Sequence, residues 1–155
     1  MAHPEEEIRA THDRFLETRD AIERLERPWA DLAAFFTREA YYVDPVWGRV
    51  DGNEAICRFL DESMRGLEGW TFPTQWTLVG EDRLVSCWMN RLPGQRGDGS
   101  YYEAPGISTF EYAGDGRFAS SYDLLNMVHI HELIAESGWK PGAGAVPPPR
   151  NPRRQ

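Results

Sequence analysis

The hydrophobic period of this chain changes once, near Gly69, and that change limits the fold more than any other feature. Before it, apolar residues recur at helical spacing. Ile8, Phe15, Ile22 and Leu25 stand among many charges and predict one long amphipathic helix. Pro28 fits the first turn of a second helix, where its missing N–H does no harm, with Trp29, Leu32, Ala33, Phe35 and Phe36 as the buried stripe. Asn53 is placed to cap a third helix, whose apolar side is Ile56, Phe59, Leu60, Met64 and Leu67 and which ends near Gly66 or Gly69.

After Gly69 the period becomes two. Trp70, Phe72, Trp76 and Leu78 fall on one parity, the pattern of a strand with one buried face, and Pro73 places that strand at an edge or a bulge. Strands follow at 84–92, 101–112 and from Arg117 to about Val128, joined by Gly80-Glu81-Asp82, by the connection from Pro93 to Gly99, and by the hairpin turn Gly114-Asp115-Gly116. A short helix is expected at 132–137. Together with an earlier strand at 41–44, this order predicts an α+β fold: a cone-shaped, curved antiparallel sheet packed against three helices from the N-terminal half, around an apolar cavity. One domain is expected over residues 1–139. Residues 140–155, rich in proline, glycine and arginine, lack the apolar residues to fold alone and read as an extended or docked tail.

Charge narrows the partners. Acids outnumber bases by 25 to 17, a net charge of −8, so a nucleic-acid-binding face is not expected, and the basic end Arg150, Arg153 and Arg154 is too short to supply one. No run is long enough to span a bilayer and the acidic N-terminus has no apolar core for a secretory signal, so the expected setting is cytoplasmic. Cys57 and Cys87 are far apart, without zinc or dithiol spacing, and are expected to be reduced. His129 and His131 alternate but have no third ligand nearby, and the glycine-rich turns open no helix. Neither a metal nor another cofactor is implied.

The stretch Glu39-Ala-Tyr-Tyr-Val-Asp-Pro-Val-Trp-Gly48 carries the first candidate for chemistry. Alternation puts Tyr42 and Asp44 on one strand face, with Trp47 close by. A carboxylate among such neighbours is driven toward its neutral form, which suits a general acid or base. Asp44-Pro45 is also the pattern of a plain turn at a strand end, and both readings stand. Tyr42 either donates a hydrogen bond to a bound oxygen or packs.

The element order, with Asp44 followed by Gly52, Ala55-Ile56 and Phe59, resembles the nuclear transport factor 2-like superfamily over about residues 8–137. That superfamily includes ketosteroid isomerases, SnoaL-like polyketide cyclases and limonene epoxide hydrolases. The resemblance places Asp44 on the isomerases' general base. Their two oxyanion donors fall on Phe15, which donates nothing, and on Ser108. It also turns one face of the last strand, with Ser121, Asp123 and Leu125, toward the cavity, where epoxide hydrolases and cyclases carry a working aspartate. Trp88 and Asn90 of the middle strand turn inward by the same comparison. The arginine and aspartate that epoxide hydrolases need on that strand correspond to Arg91 and Pro93. Asp123 otherwise reads as a solvated residue near a strand end.

These residues predict a cofactor-free, acid–base enzyme of the isomerase, cyclase, dehydratase or epoxide-hydrolase type. Its substrate would be a hydrophobic small molecule, with Asp44, Asp123 and Tyr42 catalytic and Phe15, Trp47, Trp88, Asn90, Ser108, Ser121 and Leu125 lining the pocket. The alternative is a ligand-binding or dimerisation module that keeps the cone without the chemistry. In either case the resemblance implies a homodimer paired through the outer sheet face.

Overall fold

A computed structural model of the chain describes residues 2–150. Helix α1 (Glu5–Glu23) opens on three glutamates, whose charges favour the positive end of the helix dipole. Its buried stripe is Ile8, Thr11, His12, Phe15, Thr18 and Ile22. Leu25 does not extend that stripe. The helix stops at Glu23, and Leu25 turns to φ 62° and stands exposed.

The expected second helix is only a seven-residue 3₁₀ segment (Trp29–Phe35), because Phe36 is already taken into strand β1 (Phe36–Asp44) opposite Phe118. A short strand that alternation did not show, β2 (Gly48–Asp51), folds back on β1 with Tyr42 opposite Val50. Helix α2 (Asn53–Met64) follows, but Gly52 holds its N-cap position. Asn53 spends its amide elsewhere, donating to the carbonyls of Ala33 and Phe36 at 2.8 and 2.9 Å, which ties α2 to the 3₁₀ segment.

The second half supplies β3 (Thr74–Gly80), β4 (Arg83–Gln95), β5 (Tyr101–Gly114), β6 (Arg117–Leu125) and α3 (Met127–Ser137). The six strands form one open sheet in the order β2-β1-β6-β5-β4-β3, antiparallel throughout except for the parallel β1–β6 pair. Register shifts interrupt four of the five pairings, and such irregularities bend strands and increase twist, which curves the sheet around the helices. The β5–β6 turn forms where expected, with Asp115 and Gly116 both at positive φ.

Two expectations for this half need correction. Trp70 and Phe72 precede β3 rather than belonging to it, and an irregularity between Thr74 and Trp76 breaks the parity, so Trp70 is buried while Trp76 and Leu78 are exposed. The last strand ends at Leu125 instead of Val128. Asn126 caps α3 by accepting the His129 N–H, so both histidines lie on a helix and not on a strand.

The main core fills the space between α1, the 3₁₀ segment, α2 and the sheet, around Ile8, Phe15, Ile56, Phe110 and Phe118. A second cluster, Trp70, Leu92, Ala104, Ile130 and Leu133, lies under α3. The tail returns across this end. The Trp139 and Trp70 rings meet at 5.0 Å, the Gly142 N–H donates to the Gly66 carbonyl at 2.9 Å, and Val146 packs on the main core. Gly66 permits that approach: its φ is 82°, and a Cβ there would stand 2.7 Å from the Ala145 Cβ. Arg153 and Arg154 lie outside the described residues. Among the described residues no helix is long and apolar enough to cross a membrane.

Candidate active site

A cavity of about 680 Å³ lies between the sheet and the helices, walled mainly by aromatic and aliphatic side chains, with Pro141 and residues 145–148 of the tail along one side. Its polar groups gather where β1, β5 and β6 adjoin. Register places Ser108 of β5 directly opposite Asp123 of β6, and Tyr42 of β1 opposite Ser121. The Ser108 hydroxyl donates to Asp123 Oδ1 at 2.6 Å, and the Tyr42 hydroxyl donates to Asp123 Oδ2 at 2.5 Å. The Trp88 indole N–H donates in turn to Ser108 Oγ at 2.9 Å.

Asp123 is therefore a buried carboxyl held at both oxygens, not the solvated strand-end residue that its sequence neighbours also allowed. Burial pushes its pKa up to about 7. The Ser108 and Tyr42 hydrogen bonds oppose that rise, the charge of Asp44 adds to it, and the Arg19 cation opposes it. Burial also raises the Tyr42 phenol well above its ordinary value, and the neighbouring Asp123 charge acts in the same direction.

Asp44 both closes a turn and faces the cavity. Its Oδ1 accepts the Val46 and Trp47 backbone N–H groups at 2.8 and 2.7 Å, closing the β1–β2 turn, and the half-buried residue also lines the cavity. Burial raises its pKa, and the two backbone donors pull against that rise. Phe15, Trp47, Trp88, Asn90, Ser108 and Leu125 all line the cavity. Ser121 does not. It is completely buried opposite Tyr42 in the β1–β6 pairing, on the same face of β6 as Asp123.

The middle-strand arginine is also misplaced by the sequence comparison. Arg91 has the parity of the outer face, where it pairs with Glu103 at 2.7 Å and stacks over Tyr101. The largely buried arginine on the cavity wall is Arg19 of α1, whose Nη2 donates to the Phe72 carbonyl at 2.6 Å and to Thr74 Oγ1 at 3.0 Å, with Glu23 at 3.7 Å from its Nε. His12, one turn before Phe15, also lines the cavity. Burial, assisted by the Arg19 cation, lowers its pKa to about 4, so it is a neutral imidazole at physiological pH. Neither residue was singled out from the sequence, yet a signal was present: both fall on the helical stripe defined by Ile8, Phe15 and Ile22, where a polar side chain is out of place.

Four buried polar atoms of cavity-lining residues, Arg19 Nε, Trp70 Nε1, Ser86 Oγ and Asn90 Oδ1, have no hydrogen-bond partner among the described residues. Buried polar atoms are nearly always paired, so these are points at which a bound molecule or water would be held. No group of three or more His, Cys, Asp or Glu side chains is gathered for a metal ion among the described residues.

Several solved structures share this architecture. A protein assigned as a SnoaL-like polyketide cyclase from Jannaschia sp. CCS1 superposes with a TM-score of 0.61 at 15% identity, covering 81% of this chain and 91% of its own. TerC, crystallised with polyporic acid, gives 0.59 at 19% identity, covering 84% and 96%. An LEH-like epoxide hydrolase from M. tuberculosis gives 0.59 at 15% identity, covering 79% and 88%. No curated protein matches the chain. The family model of the SnoaL-like domain matches residues 8–121, most of the chain from the first turn of α1 to the middle of β6. The chain belongs to the SnoaL-like family, on a nuclear transport factor 2-like fold.

Proposed function

We propose that this protein is a small acid–base enzyme that works on a hydrophobic molecule bearing a carbonyl, enol or epoxide. The observation that carries the proposal is Asp123, a carboxyl in an aromatic cavity whose pKa of about 7 lets it give and take a proton near neutrality. Tyr42, bonded to Asp123 and facing the same space, is the second catalytic group. Asp44 acts chiefly through its charge, because one of its oxygens already serves the turn. Structural neighbours include an epoxide hydrolase and a protein crystallised with polyporic acid, which supports a small organic substrate without identifying one.

The reaction this arrangement supports needs only proton transfer. The ionised carboxylate takes a proton from an activated carbon or from a water molecule, and the protonated carboxyl returns it to oxygen or to another carbon. Excluding water from an aromatic cavity strengthens each of these interactions. Turnover of a panel of enolisable ketones, quinones and epoxides tests the proposal. Asp123→Asn should lower kcat by roughly 10²–10⁴-fold with the fold intact, and Asp44→Asn, which can still accept the turn hydrogen bonds, should lower it less. Equal turnover by wild type and Asp123→Asn would refute this role.

Phe15 favours a second reading, a binding module without turnover, since it brings no donor to the wall where an isomerase needs one. Tight binding across the panel with no product would support that reading. We also propose a cytoplasmic homodimer joined through the outer sheet face, where Trp76, Leu78 and Leu124 are exposed, and a single domain in which the tail over residues 140–150 completes the cavity wall. Sedimentation equilibrium of the wild type against Trp76→Glu tests the dimer.

A further inference from the structure

We infer that Trp88, lying on the bare backbone of Gly106, fixes which oxygen of Asp123 can carry its proton, and that this oxygen is Oδ2, the one against Tyr42. The inference rests on the acid–base role of Asp123 and follows from counting donors. An indole N–H can only donate, so Ser108 Oγ must accept from Trp88. A hydroxyl that accepts there still has one hydrogen to place, and the group within reach is Asp123 Oδ1, at 2.6 Å. Oδ1 is thereby committed as an acceptor, and a proton on it would face the Ser108 hydrogen. Oδ2 has no such restriction, because Tyr42 can donate to it or accept from it.

Gly106 sets the head of this chain. It lies opposite Trp88 on β5, and a Cβ there would stand 2.7 Å from the indole Cη2, 2.8 Å from Cζ2 and 2.9 Å from Leu125 Cδ2. Only a residue without a side chain lets the indole lie low enough to reach Ser108. Trp88 and Gly106 are thus positioning residues; neither has to touch substrate.

The consequence is a direction for proton flow. When Asp123 is protonated on Oδ2, that O–H donates to the Tyr42 oxygen, and the phenol hydrogen turns to an acceptor in the cavity. As that hydrogen passes to the acceptor, the Tyr42 O–H bond breaks and the Asp123 proton replaces it, leaving a neutral phenol and a carboxylate that keeps its Ser108 hydrogen bond. The reverse sequence takes a proton in. The charged and titratable groups around Asp123 in this exchange are Tyr42 and Asp44 from β1 and Arg19 from α1.

NMR tests the inference without a ligand, by following the Asp123 carboxyl carbon and the Trp88 indole N–H together across pH 4–9. In wild type, the indole resonance should move with the same midpoint as the Asp123 carbon. In Ser108→Ala that linked movement should vanish, and the Asp123 midpoint should rise by roughly half a unit or more, because a donor to the carboxylate is gone. Trp88→Phe and Gly106→Ala should raise the midpoint in the same direction, and Trp88→Phe should add nothing in the Ser108→Ala background. An indole resonance that ignores the Asp123 titration would overturn the inference, and that result comes from wild type alone, so misfolding of a variant cannot hide it. A Trp88→Phe shift that persists undiminished without Ser108 would overturn it as well. Either result leaves the acid–base proposal standing if the Asp123 midpoint stays near neutral, whereas a wild-type midpoint near 4 would remove both.

Discussion

Replacing Asp123 by Asn should make the protein more stable above neutral pH, although it removes a group placed at the centre of the chemistry. In the native state the carboxyl titrates near 7 instead of its ordinary 3.8, a rise of about three pKa units. Between those two values the native protein holds more protons than the unfolded chain, so wild-type stability falls as pH rises through this window and levels off above it. At about 1.4 kcal/mol per unit, the total is roughly 4 kcal/mol. Asparagine cannot ionise. Its carbonyl oxygen still accepts from Ser108 and its amide still donates to the Tyr42 oxygen, the pattern of the protonated acid. Urea unfolding at pH 5, 6, 7 and 8 should therefore show the variant ahead by roughly 1.5 kcal/mol at pH 5 and by roughly 4 kcal/mol at pH 8, the gap widening by about 2.5 kcal/mol in between. Asp44, Glu23 and His12 also have displaced pKa values, but they are common to both proteins and drop out of the difference. Stability curves that run parallel over the whole range would refute the burial of an ionisable Asp123.

Three further outcomes follow from particular contacts. Gly106→Ala should lower unfolding stability by about 1–3 kcal/mol, since the new methyl must displace the Trp88 ring or Leu125, and thermal denaturation reads that loss. Arg19→Met should move the Asp123 midpoint further above 7, because the cation that lowers it is gone, and should destabilise the fold by roughly 3 kcal/mol by leaving Glu23 without its cation, with only the Phe72 N–H to hold it; carboxyl NMR and denaturation measure the two effects. Truncation after Trp139 should increase binding of an apolar dye such as anilinonaphthalene sulfonate and cost about 1–2 kcal/mol, from losing Val146 and the Gly142 hydrogen bond to Gly66.

The change of hydrophobic period located the helices and the sheet, because each element buries one face and its spacing records which. It failed where tertiary contacts decide. Phe36 has the spacing of a helix residue but is captured by pairing with Phe118, and Trp76 and Leu78 keep their alternation on a face that the irregularity after Thr74 turns outward. The carboxylates were legible because alternation and the family resemblance both put Tyr42, Asp44 and Asp123 on inner faces. Their order of importance was not, since it depends on which oxygen meets which donor: Asp44 gives an oxygen to two backbone N–H groups, while Asp123 meets two hydroxyls in the interior. Arg19 and His12 are polar members of the helical stripe that Ile8, Phe15 and Ile22 define, and hydrophobic spacing alone does not mark them.

The central claim is that Asp123 is a buried acid–base group, and its own titration tests that most directly. Following the Asp123 carboxyl carbon of the wild-type protein by NMR from pH 3 to 9, assigned by comparison with Asp123→Asn, should give a midpoint near 7. A midpoint close to the ordinary carboxylate value of about 4 would show a group that stays ionised throughout the physiological range, and the proposed proton transfer at Asp123 would have to be given up.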